Sequence, residues 1–278
     1  MKEIREKITS RQNPLLTRIT SLSERKYRAR EGLFRFDGKK LFLEALAAKL
    51  PLAAVLFRES ALDELTAAAG GLELPDGCRA VCLPDALFDR ISEEKSPEGV
   101  ICVSKYLDKI HKIITIEKRD DFLPSLLPGH TLVLESVRDP GNLGTVIRSA
   151  RAFGTANVVL SADCADLYHP RTIRAAMGTL FHQRVITVED VTGAIRMLRT
   201  RGRVYATALD AGAAALSRVK FDANDTAVIG NEGHGLTAGA IAAADERLYI
   251  PMAPGVESLN AGVAASVVLW EFFRGEKR

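Results

Sequence analysis

The apolar positions of this chain keep two different rhythms. In the second half, short runs rich in β-branched residues recur: TLVLESV (131–137), NVVLS (157–161), RVITV (184–188), RVYATAL (203–209), TAVIG (226–230) and RLYIPM (247–252). Between them, apolar residues return at helical spacing over 142–153, 170–180, 190–201 and 258–274. Apolar strands fed by crossover helices predict a mostly parallel sheet covered on both faces. The first half is less regular. Residues 1–30 read as helical, and RFDGKKLFLEALAAKL (35–50) reads as a turn and an amphipathic helix. The apolar runs AAVLF (53–57), RAVCL (79–83) and GVICVSK (99–105) then alternate with helical segments at 59–70 and 84–92, which predicts a smaller α/β unit. Residues 107–130 carry charges and two prolines without a long element. The domain boundary is placed there, near residue 115, dividing 1–112 from 120–278.

Composition adds little to this picture. At 47% hydrophobic and 26% charged, the chain of 278 residues is an ordinary globular sequence. It has no run of about 20 apolar residues and its N-terminus is charged, so a membrane partner is not expected and a cytoplasmic location is. Cys78, Cys82, Cys102 and Cys164 show no metal-ligand spacing and read as small reduced core residues, and no metal is expected. Charge distribution matters more than its net value of +3. Residues 1–40 hold twelve Lys and Arg against five Asp and Glu, so the remainder is net acidic. A basic leading segment suits a polyanion such as RNA, and equally a solvated charged helix.

In open α/β sheets, ligands gather beyond the carboxyl ends of the strands. The junctions to read are therefore 137–144, 209–212, 230–236 and 251–260. At the first, DPGNLGTVIRSARAFG opens a helix with Asn142 as a candidate N-cap or ligand contact, and carries Arg148 as a candidate anion contact. Gly154 fits a helix stop. At the third, VIGNEGHGLT (228–237) places three glycines where backbone can approach a ligand. It lacks the phosphate-loop and dinucleotide patterns. Glu232 inside it would repel phosphate and suits a cation such as Arg148, while a role for His234 as a base is the weaker reading. At the fourth, IPMAPGVESLNAGVAASVVLWE (250–271) ends a strand and starts a small-residue helix, with Ser258 as an N-cap or a site residue. HPRTIRAAMGTLF (169–181) adds Arg171 and Arg174 as candidate phosphate contacts.

These blocks, in this order, resemble the three motifs of the SpoU/TrmH-type RNA 2′-O-ribose methyltransferases of the SPOUT superfamily. The N-terminal half is similar, more loosely, to the L30e-like substrate-binding domain of rRNA-directed members, with FDGKK and SPEGVICV at its two ends. The resemblance implies a sheet whose C-terminal segment threads a trefoil knot, S-adenosylmethionine as methyl donor, and a homodimer with active sites near the subunit interface. It places the cofactor pocket at Gly230, Ile250 and Leu259, helped by Met252 and by the strand end at Thr207 and Leu209. It assigns Asn142, Arg148, Glu232, Ser258 and Asn260 to the polar active-site set. In the family, the arginine at Arg148 is the proposed base. A guanidinium holds its proton tightly, so the favoured reading is a charged Arg148 that stabilises the developing alkoxide and grips a phosphate, oriented by Glu232. rRNA is the favoured substrate over tRNA. A non-catalytic RNA-binding member of the fold is the alternative of another class, and a nucleotide-dependent oxidoreductase is disfavoured by the missing fingerprint.

Overall fold

The computed structural model describes residues 6–71, 73–210, 212–256 and 258–276. The chain forms two compact units, one running to Leu107 and taking in Tyr168–Phe181, the other made of Asp108–Leu167 and the remainder from His182. The chain thus divides at Leu107, and the segment 168–181 joins the first unit although it lies within the second half of the sequence.

The first unit is a mixed sheet of β1 (Glu6–Lys7), β2 (Leu33–Asp37), β3 (Leu52–Arg58), β4 (Arg79–Leu83) and β5 (Val100–Lys105), in the order β1-β4-β3-β5-β2. Its helices are α1 (Pro14–Ser21), α2 (Arg25–Glu31), α3 (Lys39–Ala47), α4 (Leu62–Ala68), α5 (Asp85–Ile91) and, from the returning segment, α8 (Pro170–Ala176). The sequence reading of residues 35–37 as part of a turn is corrected here. Leu33–Asp37 pairs antiparallel with β5, because LFRF is buried on both faces. The N-terminal helices are part of the core: Leu16, Ile19 and Leu22 pack with Leu56, Val81 and Ile101.

Among the described residues the second unit holds eight strands in the order β11-β13-β10-β12-β7-β8-β9-β6. They are β6 (His111–Ile114), β7 (Thr131–Leu134), β8 (Asn157–Ser161), β9 (Arg184–Val188), β10 (Val204–Thr207), β11 (Ala214–Ala215), β12 (Thr226–Ile229) and β13 (Glu246–Tyr249). Every pairing between them is parallel. The two strands that the pattern missed are the two edges. β6 lies in the stretch read as featureless and β11 in an Ala-rich tract. An edge strand is buried on fewer sides and so needs a weaker apolar signal.

The covering helices of this unit are α6 (Phe122–Ser125), α7 (Pro140–Ala152), α9 (Val191–Leu198), α10 (Ala238–Ala243) and α11 (Ala261–Glu276). The central strands are apolar on both faces because helices cover both: Val133, Val159, Ile186, Val204 and Val228 share one core cluster with α9 and α10. The other face is closed by α7 and α11, whose Leu143, Ile147, Ala265, Val268 and Leu269 are buried. α7 stops where expected, with Gly154 in the left-handed region at φ 70°. Among the described residues no helix is long and apolar enough to cross a membrane.

Candidate active site

All the motif segments sit at the carboxyl ends of β7, β10, β12 and β13. The helix that opens with DPGN is capped by Asp139 rather than by Asn142. The Asp139 carboxylate accepts the Asn142 N–H at 2.8 Å, and Pro140 fills the first helical position, where no donor is needed. Asn142 is thereby released from capping, and its side chain serves the site. Its Nδ2 donates to Glu232 Oε1, and its Oδ1 accepts from Asn260 Nδ2 at 3.0 Å. Asn260 itself caps α11, with its Oδ1 accepting the N–H groups of Gly262 at 2.9 Å and Val263 at 3.2 Å. The cap of that helix is thus Asn260 and not Ser258. The amide orientations follow from the chain of donors: a capping Oδ1 leaves Nδ2 to face Asn142, whose own Nδ2 can then only meet an acceptor. One residue from each motif is joined in a single hydrogen-bonded line.

Glu232 stands on the loop after β12. Asn231 and Gly235 close that loop with a pair of backbone hydrogen bonds, and Asn231 Oδ1 accepts the Gly233 N–H at 2.8 Å. Gly230 is required by close approach: a Cβ there would lie 2.3 Å from the Gly235 carbonyl carbon. The folded loop forms one wall of a cavity of about 440 Å³, a size typical of small-ligand sites. All six predicted cofactor residues, Thr207, Leu209, Gly230, Ile250, Met252 and Leu259, line it, together with Glu232 and Ser258. Its interior is apolar, from Ile229, Leu236, Ile241 and Leu248. Its charged side chains are Asp210 and Glu232, and no lysine or arginine is among the described lining residues. Such a cavity suits a ligand with an apolar ring system and a positive charge, as adenosylmethionine has, and opposes a phosphate-rich one.

Arg148 is placed differently. It is exposed on α7, six residues beyond Asn142 and therefore on another side of the helix. It does not line the cavity. Within the one chain, among the described residues, no ion pair joins Arg148 to Glu232, whose Oε1 accepts from Asn142 Nδ2. Arg171 and Arg174 are exposed on α8, in the first unit. His234 lines the cavity. The sequence reading passed over Asn231, whose signal was only its place beside the glycines. It also passed over Asp210, which is held by Arg247 Nη1 at 2.6 Å. Among the described residues no cluster of His, Cys, Asp and Glu could hold a metal.

The basic footprint of the N-terminal segment is smaller than its sequence suggests. Arg28 is buried, its Nη1 donating to the carbonyls of Leu22 and Ser23 at 2.7 Å. Arg35 is buried against Asp37 at 2.8 Å. Arg25, Lys26 and Arg30 remain exposed on α2, with Lys26 and Arg30 set over the Tyr27 ring.

A covered parallel sheet with an apolar pocket beyond its carboxyl edge, carrying Asp210 and Glu232, is the arrangement of an α/β ligand-binding domain whose pocket disfavours phosphate. Comparison with known proteins makes this specific. Residues 129–270 match the model of the SpoU rRNA Methylase family, and residues 5–102 match the MRM3-like substrate binding domain. The chain is 30% identical over 266 residues to the 23S rRNA (guanosine(2553)-2′-O)-methyltransferase RlmP of Bacillus subtilis, covering 95% of this chain and 98% of that one. Its fold is similar to an AdoMet-bound rRNA methyltransferase from Sinorhizobium meliloti, with TM-score 0.77, 26% identity and 97% of each chain covered. It is also similar to a crystal structure of an RNA 2′-O ribose methyltransferase, with TM-score 0.79 and 26% identity, covering 98% of this chain and all of that one. The chain belongs to the SpoU rRNA methylase family and is an RNA methyltransferase.

Proposed function

We propose that this protein transfers a methyl group from S-adenosylmethionine to a ribose 2′-hydroxyl of rRNA, in preference to tRNA, and works as a homodimer. The observation that carries the reading is the line Glu232–Asn142–Asn260 at the rim of a pocket that six independently expected cofactor residues share. The names of the B. subtilis relative and of the S. meliloti structure support the substrate and the cofactor.

Bound adenosylmethionine would supply an electrophilic methyl group on a sulfonium. Backbone groups of Gly230, Ile250 and Leu259, with Met252, Thr207 and Leu209, would hold it. The carboxylate of Glu232 favours positive charge at the rim, and Asn142 fixes that carboxylate in place. The 2′-hydroxyl is a weak nucleophile, so its alignment and the fate of its proton decide the rate. Arg148 serves as a fixed cation, stabilising the developing alkoxide and gripping the neighbouring phosphate, while the hydroxyl proton passes to solvent water and the neutral thioether S-adenosylhomocysteine is the leaving group. Because Arg148 is exposed and does not line the cavity of its own chain, it serves best at a site shared between two copies. An exposed apolar face supports such pairing: Trp270 and Val263 on α11 are each about half exposed, and Phe153 packs edge-on against Trp270 at 5.6 Å.

Transfer of labelled methyl to total rRNA and, separately, to tRNA tests the reading. Label in rRNA alone, resistant to alkali at one ribose and lost in Arg148→Ala, is expected. Tight RNA binding without transfer to either pool would favour the non-catalytic reading instead.

A further inference from the structure

The catalytic loop carrying Glu232 is nearly bare of packing, since residues 232–235 are all exposed. Its direction must therefore be set by polar contacts at its ends. Both ends are tied to two consecutive residues that follow β7. At one end, buried Glu135 accepts the Thr237 N–H and the Thr237 hydroxyl, each at 2.8 Å. At the other, the Ser136 carbonyl accepts Asn231 Nδ2 at 2.7 Å, while Asn231 Oδ1 holds the Gly233 N–H at 2.8 Å. Glu232 lies between those two bonds.

Ser136 has φ 58°, a left-handed backbone that side-chain-bearing residues seldom adopt. That twist is what aims its carbonyl at Asn231. It is locked from outside the motifs. The Ser136 N–H donates to Ser161 Oγ at 2.8 Å, and the Ser136 hydroxyl donates to Asp163 Oδ2 at 2.6 Å. The Ser161 hydroxyl donates to Asp163 Oδ1 at 2.6 Å, and Arg138 Nη2 reaches Oδ2 at 3.0 Å. One relay thus runs from Asp163 through Ser136 and Asn231 to the turn bearing Glu232, and on to Asn142 and Asn260.

We propose that Ser136 and Asp163 are positioning residues for the methyl transfer, the Asp163 carboxylate locking Ser136 in the left-handed conformation that aims the Asn231–Glu232 turn at Asn142. This inference rests on the reaction proposed above. Neither residue faces the cavity, and both act through Glu232.

The test pairs kinetics with a readout that needs no turnover. Asp163→Asn is isosteric and is expected to lower kcat about tenfold while the KM for RNA and the affinity for S-adenosylhomocysteine stay within about threefold. In a Glu232→Gln background, followed by single turnover, the same substitution should cost nothing further, because residues acting through one contact are not additive. The Asn142 side-chain amide resonance, assigned by its loss in Asn142→Ala, should shift in Asp163→Asn. A full tenfold loss in the Glu232→Gln background, or unchanged kcat with an unmoved Asn142 resonance, would overturn the proposal. Should Asp163→Asn fail to fold, Ser136→Gly and Ser136→Val decide. Glycine permits the left-handed backbone but loses the hydroxyl held by Asp163 and should lose about tenfold, as Asp163→Asn does, whereas β-branched valine, which also resists that backbone, should lose clearly more. Equal activity of those two would overturn it. Absence of methyl transfer by the wild type would sink the proposed reaction, while the resonance measurement would still test the relay.

Discussion

At the scale of single residues, two asparagines at helix starts have exchanged the duties that sequence alone suggests. Asn142 looked like the cap of α7, but Asp139 takes that role, and Asn260 caps α11 while also holding Asn142. The residue types were legible because Asn and Asp are common at such positions. Which of two candidates three residues apart does the capping depends on where the first helical turn closes, and that was not legible. The consequences separate cleanly. Asp139→Ala should cost about 1 kcal/mol of stability, read from chemical denaturation, through loss of the cap. Asn142→Ala should leave denaturation nearly unchanged and lower kcat about 10²-fold, since it frees Glu232 in an exposed loop. Asp163 offers a pH signature. Partial burial opposes its charge, but the Ser136 and Ser161 hydroxyls and the Arg138 guanidinium prevail and hold it down at about 2. An unfolded Asp titrates near 3.9, so its stabilising effect is complete above about pH 4 and is lost as pH falls through the range from about 4 to 2. Acid unfolding of Asp163→Asn should therefore begin at higher pH than that of the wild type, and identical acid midpoints would refute the assignment.

At the scale of elements, α7 does two jobs. Its start presents Asn142, and its inner face packs on the sheet through Leu143, Val146 and Ile147, all fully buried. Ile147→Ala should destabilise the protein by about 2–5 kcal/mol, from lost burial and the cavity left behind, with little change in kcat at temperatures where the variant stays folded. The inner strands β7, β8 and β12 were legible because they are buried on both faces, and β13 was legible only through the apolar residues at its carboxyl end. The edges β6 and β11 were not, since one flank of each lacks a strand partner. The short strand β2 was hidden by Arg35 in its middle, a charge that the structure buries by pairing it with Asp37. The six pocket residues that the family resemblance named share one cavity wall, and Gly230 is where close backbone approach explains the residue type, whereas Asn231 and Asp210 on the same wall carried no such signal.

At the scale of the whole molecule, charge and shape assign the parts. The basic leading segment suits RNA or a solvated charged helix by charge alone, but β1 pairs with β4, and Leu16, Ile19 and Leu22 lie in the core. Removing residues 1–30 would unfold the first unit. The sharper variant replaces exposed Arg25, Lys26 and Arg30 with glutamine. It should weaken RNA binding and flatten its salt dependence by up to about three charges while leaving cofactor affinity unchanged, and an unaltered salt slope would exclude α2 from the interface. The proposed pairing of two copies through α7 and α11 predicts complementation. Mixed Arg148→Ala and Glu232→Gln chains should recover up to about a quarter of the activity per mixed population, whereas no recovery would return Arg148 to its own chain's site. The central claim is that the Glu232–Asn142–Asn260 line directs a methyl group to a ribose oxygen, and the most direct measurement is the position of the methyl group itself. Nuclease digestion of rRNA treated with enzyme and adenosylmethionine, followed by mass spectrometry of the nucleosides, should show one 2′-O-methylnucleoside with wild type and its near-absence with Asn142→Ala. A methyl group on the base, or undiminished ribose methylation by the Asn142→Ala variant, would contradict the account.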